Sequence, residues 1–115
     1  MKSMKRIDAL NLRQSLQGCK VSGVGDKSRR RGLACLMVLL NAVASDFEAY
    51  RKECVSMLDG SEVQGALEEW LDEESGVVFT AMTDVEFEQL MDANPDMTLN
   101  SLGVIGGLLC CEATS

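Results

Sequence analysis

The sequence predicts a mainly α fold: a long-helix α-hairpin with one or two short β-strands and two short C-terminal helices. Three observations lead there. From Arg31 to Leu58 an apolar seam repeats every seven residues, with Leu33, Leu40, Phe47 and Cys54 at one position and Leu36, Val43, Tyr50 and Met57 three residues later. The chain holds a single proline, Pro95. Two capping boxes, Ser61-x-x-Gln64 and Thr83-x-x-Glu86, mark helix starts after short turns.

The long helix has two halves. Between Leu33 and Ala44 only Asn41 is polar, so nearly the whole circumference should be covered, by the rest of the chain or by a second copy. From Ser45 onward Asp46, Glu48, Arg51, Lys52 and Glu53 supply an ordinary outer polar face. Before this helix, Met1 to Arg6 reads as a frayed basic start. A short helix from about Arg6 to Gln17 carries Ile7, Leu10, Leu12 and Leu16 and stops at Gly18. Cys19 to Asp26 is a loop with a short strand at Lys20 to Ser22, and Asp26 or Ser28 caps the long helix.

After the turn at Asp59-Gly60, a second helix opens at the Ser61 box. Its inner face is Val63, Ala66 or Leu67, Trp70 and Leu71, and its outer face is Glu68, Glu69, Asp72, Glu73 and Glu74. The short connection makes it antiparallel to the long helix, with Trp70 as an anchor over the hairpin. Gly76 ends it. Val77 to Met82 is β-branched and aromatic, the best strand in the chain; it must pair with Lys20 to Ser22 or with its own copy in a second chain. The Thr83 box opens a helix to Ala93 with Phe87, Leu90 and Met91 inward, ended by Asn94-Pro95. A last helix, Leu99 to Cys111, puts Leu99, Leu102, Ile105 and Leu109 on one side, while Gly103, Gly106 and Gly107 allow close backbone approach.

A chain of 115 residues is expected to form one domain with a modest core, filled by aliphatics and seven methionines because aromatics are few. The net charge of −7 hides an asymmetry. Residues 1–31 hold nine Lys/Arg against Asp8 and Asp26, whereas the remainder holds Arg51 and Lys52 against sixteen Asp/Glu. A basic head on an acidic body either packs against that body or touches nucleic acid; the negative overall potential favours the first. The five cysteines form no C-x-x-C and histidine is absent, which argues against a structural zinc site and for a reducing compartment.

Several motif matches fail on chemistry. Gly25-Asp26-Lys27-Ser28 imitates the end of a P-loop, but Asp26 places a carboxylate where phosphate would sit. Asp92, Asn94, Asp96, Thr98 and Asn100 alternate like calcium ligands, yet Met97 and Gly103 occupy the positions that need glycine and glutamate. Arg29 to Ala44 resembles a secretory leader, but it begins deep in the chain and the heptad seam runs through the would-be cleavage site. The apolar run is shorter than a bilayer span. No nucleophile elbow or histidine base is present, so an enzyme is not expected, and no cofactor is implied.

The order of elements resembles that of small helical proteins carried by bacteriophages and prophages. The likeness rests on Asp8-Ala9-Leu10-Asn11-Leu12, the long helix, Leu67 to Glu74 ahead of Val77-Val78-Phe79, and Phe87-Glu88-Gln89-Leu90-Met91. It implies an accessory or assembly role and carries over no catalytic residue. The expected function is therefore cytoplasmic protein–protein interaction, as a homodimer or with another protein, through Leu33, Leu36, Leu40, Phe47, Trp70, Val77 and Phe79. A nucleic-acid-binding regulator using Lys20, Lys27, Arg29, Arg30 and Arg31 is the alternative, and a small enzyme or ligand binder the third reading.

Overall fold

The computed structural model describes residues 2–110 and is mainly α, with five helices and a two-stranded sheet among them. In chain order they are β1 (Lys2–Lys5), α1 (Arg6–Leu16), α2 (Lys27–Met57), α3 (Gly60–Leu71), β2 (Glu74–Phe79), α4 (Asp84–Ala93) and α5 (Leu99–Leu109). The sequence places the helix starts within a few residues of those observed, but α3 ends at Leu71, not Gly76, and the strand expected over Val77 to Met82 is shifted to Glu74–Phe79, taking in Glu74 and Gly76, because it pairs with β1. The expected extension of α5 fails at Cys110, an extended C-cap after Leu109, and Cys111 lies outside the described residues.

The N-terminus departs most from expectation. Lys2–Lys5 is not frayed; it pairs antiparallel with β2 in the register Lys2↔Phe79, Ser3↔Val78 and Lys5↔Glu74. Lys20 to Ser22 forms no strand; instead the Asn94 side chain grips the Lys20 backbone, accepting from its N–H at 2.8 Å and donating to its carbonyl at 2.7 Å. The register slips between Ser3 and Lys5, and Ser75 fills the irregularity by donating to the Met4 carbonyl and accepting from the Val77 N–H. The two-residue period of a strand then points Val77 and Phe79 into the core and Val78 out. Met4 joins them from β1.

The core lies between the inner face of α2, the sheet, α1 and α5. Ala9, Leu12, Leu40, Met82, Leu90, Ile105 and Leu109 are essentially sealed from water. Each fully buried leucine contributes about 1.5–3 kcal/mol relative to an exposed one. The end of α5 is fastened to the chain after β2, where the Met82 N–H donates to the Leu109 carbonyl at 2.6 Å. Of the three α5 glycines only Gly106 approaches a neighbour: a Cβ there would lie 3.4 Å from the Phe87 ring. Gly103 and Gly107 face open space, and Leu99, expected inside, is 87% exposed because it opens the helix beyond the packed turn.

The capping boxes split. Thr83 and Glu86 form the reciprocal pair, with Thr83 Oγ1 accepting from the Glu86 N–H and Glu86 Oε1 accepting from the Thr83 N–H. The Ser61 box does not form, because α3 starts two residues earlier, at Gly60, and leaves Asp59 as the N-cap. The predicted inner face of α3 is correct in direction but only half-buried at Val63, Ala66, Leu67, Trp70 and Leu71.

Candidate interaction surface

α2 carries most of the candidates. Its heptad seam turns inward: Leu33, Leu36, Leu40, Val43 and Cys54 are buried in the chain's own core. Val77 and Phe79 are buried with them, and Phe47 and Trp70 are half-buried against each other. The residues expected to meet a partner are therefore committed to folding the monomer. Met57, the last seam position, is 73% exposed because α3 packs only part of α2's second half.

Trp70 anchors the hairpin as expected. Its ring lies 5.6 Å from Phe47 and stacks 5.7 Å from Tyr50. The Arg6 guanidinium sits 4.1 Å above it and donates to its carbonyl, and also pairs with Glu73 at 2.7 Å. Lys5 reaches Asp72 at 2.9 Å, an exposed pair whose hydrogen bond holds the Lys5 ammonium above its ordinary pKa. Part of the basic head thus rests on the acidic C-terminal end of α3, where the helix dipole alone would disfavour carboxylates.

The N-terminus of α2 carries the opposite mismatch, with cations Lys27, Arg29, Arg30 and Arg31 at the positive end of the dipole. Asp26 caps it, accepting from the Arg29 N–H at 2.8 Å. Arg29 forks onto Glu86, with Nε–Oε2 at 2.6 Å and Nη2–Oε1 at 3.0 Å, and donates to the carbonyls of Thr80 and Ala81. Both side chains are well buried, 17% and 14% exposed. The Arg29 hydrogen bond holds the Glu86 carboxyl below the usual range, against the opposing effect of burial. Arg30 donates to the Gly25 carbonyl, and the Gly25 N–H donates to Gln89. The loop that imitates a P-loop is a brace between α2 and α4: Gly25 has φ +57°, and a Cβ there would meet Glu86 Oε2 at 2.7 Å. Of the five nucleic-acid candidates, Arg29 and Arg30 are drawn into this brace, whereas Lys20, Lys27 and Arg31 remain on the surface.

The opposite face of α2, expected to be covered by the chain or a second copy but offered no apolar candidate residue, is left bare by the fold. Arg31, Cys35, Val38, Ala42, Ser45 and Ala49 follow heptad spacing and are all exposed. Val38 is 67% exposed and Leu39 beside it 44%. Leu39 and Cys35 also line an open groove of ≈ 600 Å³ between α2 and β2, with Val78, 52% exposed, on its far wall. The signal was present: residues 33–44 are apolar except for Asn41, and only one side of the helix packs on the core.

The expectation of an apolar run shorter than a bilayer span is corrected: by length and composition α2 is long and apolar enough to cross a membrane, because the helix extends beyond Leu33–Ala44, and its inner residues here pack within the chain. Among the described residues no group of three His, Cys, Asp or Glu side chains could hold a metal ion. A scan against protein-family models and searches of curated proteins and solved structures found no match.

Proposed function

We propose that this chain is a non-enzymatic protein-interaction module, an assembly or accessory protein of the cytoplasm, that works through the outer face of α2 and the adjoining Val78. One observation carries the reading: a helix face with Cys35, Val38, Leu39 and Ala42 exposed side by side, where a solitary soluble domain would place charge. The likeness to phage and prophage proteins supports a role in a mobile element. A nucleic-acid regulator is the weaker reading, since Arg29 and Arg30 are engaged within the fold.

Thiol footprinting of Cys35 tests the proposal. In dilute purified protein Cys35 should react freely with a maleimide. In extracts of the cells that make the chain it should react severalfold more slowly, and Val38→Asp should restore fast labelling. Equal, rapid labelling of Cys35 in both settings would overturn the reading.

A further inference from the structure

We infer that the occupant of the outer α2 face is a second copy of this chain, lying antiparallel to the first. This rests on the interaction reading above and names its partner.

The first argument is charge. Along the exposed side of α2, cations Lys27 and Arg31 stand at the N-terminal end and anions Asp46 and Glu53 toward the C-terminal end. Among the described residues none of these four has an ion-pair partner. A parallel pair would stack each charge on its twin. An antiparallel pair whose opposed residue numbers sum to about 80 sets Lys27 against Glu53 and brings Arg31 beside Asp46 and Glu53. The axis then passes near the middle of the apolar segment: Val38 meets Ala42 and Cys35 meets Ser45. Lys52, opposite Ser28 and close to Lys27, is the one unfavourable neighbour in this register. The opposed helix dipoles act in the same direction.

The second argument is area. The exposed line from Lys27 to Ser56 runs about 45 Å at 1.5 Å per residue, and a helix is about 10 Å across. Two such strips bury on the order of 1,000 Å² together, the lower bound for a specific interface. Short side chains at Cys35, Ala42, Ser45 and Ala49 let the helix axes approach closely. Val78 and the adjoining groove flank this strip and can add to the contact.

Disulfide trapping tests orientation and partner together. Ser45→Cys in the full chain should give a cross-linked dimer under mild oxidant, because the new thiol faces Cys35 of the second copy. The wild-type chain and the double variant Ser45→Cys/Cys35→Ser should give little. Both positions are exposed, so the variants should fold, which circular dichroism will check. Efficient cross-linking of the wild type that Cys35→Ser abolishes would mean a parallel pair and overturn the inference. So would a folded Ser45→Cys variant that never cross-links. If Cys35 is nevertheless shielded in extracts, the interaction reading stands with a different partner; if it is not, both fall.

Discussion

The inner and outer faces of the first half of α2 are built from similar residues and meet opposite environments. Leu33, Leu36, Leu40 and Val43 lie in the core, whereas Cys35, Val38, Leu39 and Ala42 face solvent one or two residues away. The difference teaches that hydrophobicity alone does not say which molecule covers a surface. The inner face is closed by elements of its own chain; the outer face is long, apolar and bare.

Substitutions can break this contrast. Leu40→Ala removes a fully buried side chain and should cost about 2–5 kcal/mol of stability. Val38→Ala, in dilute protein, should change stability by no more than about 0.5 kcal/mol. Chemical denaturation of both variants measures the gap, and equal losses would mean that the outer face is packed in the monomer. The charged brace at the start of α2 gives the next effect. Gly25→Ala forces a side chain into left-handed backbone and against Glu86 Oε2, and should cost about 1–3 kcal/mol. An unchanged melting midpoint would show that the Arg29–Glu86 contact does not depend on this turn.

A smaller effect is pH-dependent. Because Arg29 lowers the folded-state pKa of Glu86, the ionised carboxylate contributes stability that is fully present above its ordinary value of 4.5. That contribution disappears as pH falls through the lower folded-state value. Glu86→Gln should therefore cost about 1–2 kcal/mol at neutral pH, and its difference from wild type should close on acidification below about 4.5. Urea midpoints across pH 3–7 would show this, and a gap that widens in acid would reverse the assignment.

The legible parts of the fold are those with local causes. The seven-residue spacing of Leu33, Leu40 and Phe47 marks α2, Asp26 caps it, and Thr83 with Glu86 marks the start of α4. The illegible parts depend on residues far apart in the chain. Lys2–Lys5 offers one inward apolar residue, Met4, and becomes a strand only because Glu74–Phe79 lies beside it. Asn94 reads as a helix stop, and nothing nearby in sequence reveals that its amide holds Lys20. The same dependence on distant residues hid that the candidate residues Leu33, Leu36, Leu40, Val77 and Phe79 lie in the chain's own core. The seam through Leu40 is the stronger pattern, and for that reason the chain's own core takes it.

The claim that the bare face of α2 joins two chains is tested most directly by solution mass. Light scattering of the wild type should give twice the 12.5 kDa chain mass. That mass should persist at high salt, since apolar burial is not screened, and Val38→Asp should reduce it to one chain. A wild-type monomer at both low and high salt would contradict the claim, leaving Val38 and Leu39 as solvated surface of a solitary domain.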